Sequence, residues 1–480
     1  MKVLFLTWEL DPFIKLGGLG DVSRSLPTAL SQQGIDIRIA IPYYTVLKLG
    51  RNKRVRLKKI KVKYADKLES VEIFRVFLPG GKVPVYLIKN PTYLAISDRT
   101  NSYAFFDKAI LEVIKQNALS WEPEIVHCND HHTGLVPLLI RENHLPIKTI
   151  LTIHNLSYQG SIGLDALLKM GIDVSKCPAL GWEIKSKRVN FLMEGIIHAD
   201  VVTTVSPTYA REIMKEEFGM GLDEILRAKE GRVFGILNGI NKDFNQPKNT
   251  KGIRYAYSGS ARDIKQDTSS KLLSWKEGKK LNKLFLQKKL GLKVSESIPL
   301  LSFVGRFDPH QKGIEIIHKM MRRVDGVGFQ LVILGSGNVE WEERYLWLST
   351  FYPKNISCTF AFDQHLADQI YASSDFILIP SQFEPCGLVQ MMAMAFGTIP
   401  IAHKTGGLAD SIVNDINGFL FDSYSSEVLE RTVKKAIDIW FNDKNRYRLM
   451  VEAAFATDFS WDKSAGQYID LYNKLINNTL

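Results

Sequence analysis

Short runs rich in Val, Ile, Leu and Phe alternate with amphipathic helical stretches along most of this chain. "KVLFLTW" leads through a Gly-rich turn into "DVSRSLPTALSQQG", and "IDIRIAIPY" follows. "EIVHC", "KTILTIH", "DVVTTVS" and "VFGILN" come later, with helical stretches between most of them. That alternation is the mark of βα units on a largely parallel sheet. "VEIFRVFL" and "VPVYLIK", separated by "PGGK", predict a hairpin or edge elaboration. The pattern lapses between Asn238 and Lys293, where "KNTKGIRYAYSGSARDIKQDTSS" is polar and aperiodic. A second series then starts with "PLLSFVG", "FQLVILG", "ISCTFAF", "DFILIPS", "TIPIAH" and "GFLF". The expectation is two doubly wound α/β domains with a cleft between them. Residues 1–245 form the first domain, 246–292 a linker or insertion, and 293–456 the second domain. A last helix within 457–480 is expected to pack back on the first.

The chain has 480 residues and a formal net charge of +11. A basic balance fits an anionic ligand, a nucleic acid or merely a positive surface. The charge is partly local, in "RNKRVRLKKIKVK" (Arg51 to Lys63) and "KEGKKLNKLFLQKK" (Lys276 to Lys289). No nucleic-acid-binding module is recognised. Cys128, Cys177, Cys358 and Cys386 are far apart and form no C-x-x-C. This spacing fits a reduced, cytoplasmic protein and opposes a disulfide framework or a structural zinc site. No stretch has the length of a membrane span. "MKVLFLTWELDPF" meets Glu9 and Asp11 too early for a signal peptide and reads as a first strand.

The polar motifs fall just after predicted strands, where ligands of open α/β sheets bind. "KLGGLGD" (Lys15 to Asp21) and "KTGGLAD" (Lys404 to Asp410) are two copies of one turn. Glycines let a ligand approach the backbone, and the helix that begins there favours an anion. Asp21 and Asp410 lie in a first helical turn, where a carboxylate is favoured in any case. "GRFDPHQKG" sets Arg306 and Lys312 on one strand–helix connection, a pair suited to a diphosphate or simply solvated. "QFEPCGL" sets Glu384 beside Cys386, Gly387 and Leu388. That carboxylate can meet sugar hydroxyls or an oxocarbenium-like centre. Cys386 has apolar residues downstream and no adjacent base, which favours packing over nucleophilic chemistry. "VHCNDHHTG" is rich in His and Asp, but neighbours on a strand point to opposite faces and no second ligand pair follows. Asp130 and His132 read as polar groups facing a cleft, and His154 in "TIHN" as either a core or a site histidine. "LGSGN" lacks the third glycine of a dinucleotide fingerprint.

Taken in order, "KLGGLGDV", "HCNDHHTG", "TIHNLSYQG", "VSPTYAREI", "EFGMGLDEIL", "LNGI", "QKG", "PSQFEPCGLVQ", "KTGGLADSI" and "FSW" resemble the bacterial glycogen and starch synthases. That family consists of retaining glucosyltransferases of the GT-B type, with two Rossmann-like domains facing an interdomain cleft. The resemblance spans nearly the whole chain. It implies transfer of glucose from ADP-glucose to the non-reducing end of an α-1,4-glucan, with no metal and no other cofactor. It implies donor contacts from Lys15, Gly18, Asn238, Arg306, Lys312, Phe362, Glu384, Cys386, Gly387, Leu388, Thr405 and Gly406. Asp130, His154, Asn155 and Phe105 are implied on the glucosyl and acceptor side. Lys15, His154, Arg306, Lys312 and Glu384 are the implied catalytic set. His131 stands where the family usually has Trp, and Phe362 and Phe105 where it often has Tyr. A related transferase using UDP-glucose or another acceptor stays open, as does a non-catalytic glucan- or nucleic-acid-binding protein.

Overall fold

The computed structural model describes residues 1–50, 52–95, 100–172, 174, 185–241, 246–267, 271–322 and 328–480. Cys177 lies outside the described residues. The chain divides into two compact units: residues Met1–Gly239 with Trp461–Leu480, and residues Ile240–Ser460.

The first unit is built on β1 (Lys2–Leu6), β2 (Asp36–Pro42), β3 (Val55–Tyr64), β4 (Lys67–Phe77), β5 (Pro84–Lys89), β6 (Ile125–Asn129) and β7 (Lys148–Ile153). The short pair β8 (Ser161–Gly163) and β9 (Arg188–Asn190) stands apart, and β10 (Val201–Thr204) and β11 (Val233–Gly235) complete the set. The nine-stranded sheet runs β11-β10-β7-β6-β1-β2-β5-β4-β3. It is parallel from β11 to β5 and antiparallel at β4 and β3. Hence "VEIFRVFL" and "VPVYLIK" do form a hairpin, and the basic run after Arg51 adds an edge strand to it. On β1, Leu4 and Leu6 join one core while Val3 and Phe5 join the other. A strand covered on both faces must be apolar at every position, which is why β1 reads as a continuous run. The Thr100–Lys115 helix covers one face through Phe105, Phe106 and Ile110. On the other face the Gly18–Gln32 helix packs with the C-terminal Trp461–Ile476 helix.

The second unit opens with a short parallel pair, β12 (Tyr257–Ser258) and β13 (Leu273–Ser274). Its main sheet comprises β14 (Leu300–Val304), β15 (Gln330–Leu334), β16 (Ile356–Thr359), β17 (Phe376–Ile379), β18 (Ile399–His403) and β19 (Phe419–Phe421). All are parallel, in the order β16-β15-β14-β17-β18-β19. That is the 3-2-1-4-5-6 order of a dinucleotide-binding fold. The expectation of a linker over 246–292 is corrected here. Residues 275–289 form a helix packed on the Gln364–Ser373 helix, inside the second unit. Its lysines are not all surface charge. Lys283 pairs with Asp375 at 2.7 Å, and Lys279 donates to Thr398 Oγ1 at 2.8 Å. Burial pushes the Lys279 ammonium down to about 7.

Among the parallel strands of each sheet the order reverses direction at one place. In the first unit this is between β1 and β6, and in the second between β14 and β17. Loops leaving the carboxyl ends there diverge to opposite faces and open a crevice. The motifs "KLGGLGD" and "NDHHTG" follow β1 and β6, while "GRFDPHQKG" and "SQFEPCG" follow β14 and β17.

Candidate functional site

In the first unit, the glycine turn is held by a residue the sequence did not single out. Glu9, just past β1, accepts from the amides of Leu16 and Gly17, both at 2.7 Å. Two of the turn's donors are therefore already used, and Gly18 opens the helix with Gly17 as its cap. Lys15 projects from this turn and pairs with Asp21 at 2.7 Å, with both side chains about one-third exposed. The signal for Glu9 was present in "TWELDPF", an acidic residue directly after an apolar strand.

Asp130 follows β6 with φ 54° and ψ −172°, a region non-glycine residues rarely occupy. Holding it there costs about 1–3 kcal/mol, and such strain clusters at functional sites. Its Oδ1 accepts from the His154 amide at 2.7 Å, and the Asn155 amide also stabilises it. Burial nevertheless pushes the Asp130 carboxyl up to about 7, with the Glu9 charge adding to the effect. The His154 ring meets Asn129 Oδ1 through Nε2 at 2.9 Å, and Asn129 in turn donates to Leu6 O at 2.8 Å. Burial lowers His154 to about 4, so the ring is neutral near pH 7. Glu9, Asp130, His154, Asn155 and Asn129 thus form one polar cluster at the carboxyl ends of β1, β6 and β7. Asn238, also buried, follows β11.

The histidines of "VHCNDHH" separate as strand alternation requires. His127 turns into the core onto Tyr472 and Thr152, at 2.7 and 2.6 Å. Cys128 takes the opposite face. His132 stacks on Trp8, and Tyr103 meets both His131 and His132 edge-on. Among the described residues, no group of three or more His, Cys, Asp and Glu is placed to hold a metal ion.

Phe105 is a correction. It is 0% exposed in the core, stacked on Tyr93 at 4.5 Å and edge-on to Tyr64. A ring enclosed by its own domain has no face left for an acceptor. Tyr103, two residues earlier and half-buried, is the aromatic nearer the polar cluster.

In the second unit, three loops are knitted together. Lys312 pairs with Glu384 at 2.7 Å, and Ser381 donates to the same carboxylate oxygen at 2.9 Å. The Gln382 amide donates to Gln311 O, and Arg306 Nη2 to Gln311 Oε1 at 3.1 Å. The Gly407 amide donates to Glu384 O at 3.0 Å, tying in the second glycine turn. Gly313 has φ +68°, and a Cβ there would meet Pro380 O at 2.0 Å. Gly406 has φ +43°, and a Cβ would meet Glu384 O at 1.9 Å. Only glycine lets these loops close on one another. Arg306, Lys312, Glu384, Cys386, Gly387, Thr405 and Gly406 are thereby brought together. Leu388 caps the helix that starts at Val389. Cys386 is buried, with its carbonyl held by Gln390 Nε2 at 3.0 Å. Lys404 faces outward to Asp422 at 3.2 Å. Phe362 lies past β16 and is 86% exposed, apart from the hydrogen-bonded cluster.

Chemically, the second cluster offers a guanidinium and an ammonium at a helix start, beside a carboxylate only 7% exposed. Cations there stabilise a leaving diphosphate, and the carboxylate can hold sugar hydroxyls. Residues 2–228 match the family model described as the starch synthase catalytic domain, and residues 287–455 match glycosyl transferases group 1. With two doubly wound α/β units, the molecule is a glycosyltransferase of the GT-B class.

A glycogen synthase from Kosmotoga olearia is 38% identical over 491 residues, covering 100% of this chain and 98% of that protein. One from Thermosipho melanesiensis is 36% identical over 499 residues, covering 100% of both. The catalytic domain of starch synthase IV from Arabidopsis thaliana, solved with ADP and acarbose, has a TM-score of 0.87 at 30% identity and covers 99% of both chains. A sucrose-phosphate synthase from Thermosynechococcus elongatus, with a TM-score of 0.60 at 18% identity, shares the fold alone. The chain belongs to the glycogen synthase family and is a hexosyltransferase. No helix among the described residues is long and apolar enough to cross a membrane.

Proposed function

We propose that the protein transfers glucose from ADP-glucose to the non-reducing 4-OH of an α-1,4-glucan such as glycogen, with retention of configuration and without a metal. The observation that carries this reading is the Arg306–Lys312–Glu384 cluster at the switch point of a dinucleotide-type sheet. The starch synthase neighbour bound to ADP and acarbose supports the choice of donor and acceptor. In this reading, Arg306, Lys312 and Lys15 bear on the diphosphate, where negative charge grows as the C1–O bond breaks. The Thr405–Gly406 backbone and the Cys386–Leu388 loop line the donor, and Phe362 is an exposed ring on which the adenine stacks.

Bond formation from the acceptor 4-oxygen to C1 takes place on the face the diphosphate leaves. The acceptor proton passes to the departing phosphate oxygen. His154 suits the sugar face because it is neutral: an imidazolium would oppose the positive charge developing at C1. Asp130 and Asn155 position the same side of the sugar.

The test is transfer of labelled glucose into glycogen from ADP-glucose and from UDP-glucose. Preferential incorporation from ADP-glucose is expected. Faster incorporation from UDP-glucose would replace the donor, and no incorporation from either would remove the acceptor assignment. Glu384→Ala and Lys15→Ala should each lower kcat at least ~10²-fold, as loss of one transition-state contact does. Near-normal rates in both purified variants would overturn the mechanism.

A further inference from the structure

A cavity of about 640 Å³ lies in the first unit, at the opposite edge of the sheet from that unit's glycine turn. It sits at the amino-terminal edge of the sheet. Lys148 begins β7, Asp200 immediately precedes β10, and Arg232 immediately precedes β11. Lys148 and His154 stand at opposite ends of the same strand, so roughly 20 Å separates this cavity from the polar cluster.

Its lining is strongly one-signed. Arg141, Lys148, Lys229 and Arg232 line it with Asp200 as the one carboxylate, and His144 and His198 also line it. Asp200 supplies one negative charge against four positive ones, and it offsets only part of them. Its Oδ2 is committed to Thr149, accepting from the amide at 2.7 Å and from the hydroxyl at 2.9 Å. Among the described residues, none of the four cations has a carboxylate within ion-pair distance. Lys148 instead donates to Asn478 Oδ1 at 2.7 Å, and Lys229 to the Ala199 carbonyl. Burial lowers the Lys229 ammonium to about 8; the Asp200 charge offsets part of this, and the charges of Arg232 and Arg141 add to it. Lysines are ordinarily solvated; one held half-buried among arginines is held at a cost that an anion relieves. One part of the wall is apolar, from Ile140, Leu145, Pro146 and Ile197. Convergent cations beside an apolar wall, in a concavity of this size, make a small-molecule site rather than a flat docking face.

We propose that this cavity binds a small phosphorylated metabolite, its phosphate held by Arg141, Lys148, Lys229 and Arg232 and its body resting on the apolar wall. The site lies at the opposite end of β7 from the polar cluster of the first unit and does not depend on how the donor is assigned. It accounts for a share of the excess positive charge that the donor chemistry leaves unused.

Titration calorimetry on the full chain tests this, with inorganic phosphate, glucose 1-phosphate and glucose as probes. Wild type should bind both phosphates and not glucose, with the hexose phosphate tighter if the apolar wall contributes. Arg141→Ala and Lys229→Ala should each raise Kd at least ~10-fold, within the range of one charge-assisted hydrogen bond. Arg141 is exposed, so its replacement leaves folding untouched. Arg306→Ala, in the other unit, should leave this binding unchanged. Equal affinity in wild type and both cavity variants would overturn the proposal, and so would loss in Arg306→Ala alone. Tight oligonucleotide binding that the cavity variants abolish and phosphate does not displace would assign the surface to nucleic acid instead.

Discussion

At the scale of single residues, ionisation is set by burial as much as by partners. Asp130, buried, carries a proton up to about pH 7, well above the ordinary aspartate range. Because its folded pKa is raised, the folded state holds a proton that the unfolded chain releases. Stability therefore falls as pH rises from about 4 to about 7 and is flat above. His154 acts in the opposite sense. Its folded pKa is depressed to about 4, so it adds stability as pH rises toward the ordinary histidine value. The contribution of Asp130 is isolated by difference: the gap in Tm between wild type and Asp130→Asn should change between pH 4 and pH 7 and stay constant above. A pH-independent gap would show that the carboxyl titrates normally. None of this was legible in "HCNDHH", because a strand-end aspartate reads alike whether buried or solvated. Lys15, Arg306, Lys312 and Glu384 were legible, since charge beside glycine after an apolar run is a local signal. Asn129 and Gln311 were not, and Glu9 showed only as an acidic residue past an apolar run. They orient a neighbour, and that role depends on which loops the topology brings together.

At the scale of elements, glycine and lysine do opposite jobs. Gly313 and Gly406 allow the loops to touch, and Gly406→Ala would set a Cβ against Glu384 O in a strained backbone. It should lower stability by about 1–3 kcal/mol and displace Glu384, so Tm and kcat should fall together. Retained activity with a lowered Tm would separate the turn from the site. The lysines of β3 protect instead. Lys59, Lys61 and Lys63 are exposed while Ile60, Val62 and Tyr64 are buried, an alternation on the outermost strand of the sheet. Charged residues on an edge discourage pairing with another chain. Replacing the three lysines by Thr should increase light scattering on warming while leaving the melting transition within a few degrees. This run looked in the sequence like a basic tract, although the period of two was present in "KKIKVKY". The helix at 275–289 was hidden for a different reason. Buried lysines such as Lys279 and Lys283 break the apolar pattern by which core helices are recognised.

At the scale of the whole molecule, the chain leaves the first unit at Gly239 and returns to it at Trp461. Sequence order suggested the βα series of each unit, because hydrophobic periodicity is local. The packing of the last helix is long-range, and "WDKSAGQYIDLYNKLI" carries only an amphipathic stripe to announce it. That stripe, through Ala465, Tyr468, Leu471, Tyr472 and Leu475, completes the core on one face of the first sheet. Tyr472 also supplies the hydroxyl that meets His127 Nδ1 at 2.7 Å, a buried ring nitrogen inside β6. The terminal helix is therefore a structural part of the first unit. Leu471→Ala should destabilise that unit by about 2–5 kcal/mol, the range for a large-to-small change in a packed core. Tyr472→Phe removes one buried hydrogen bond and leaves His127 Nδ1 unmet, at about 1–3 kcal/mol. Hydrogen exchange resolves the two units: both variants should speed exchange in β1, β6 and β7 and leave β14 and β17 unchanged. Equal acceleration in both sheets would mean that the units unfold as one cooperative body, and that the return of the chain couples them rather than completing the first alone.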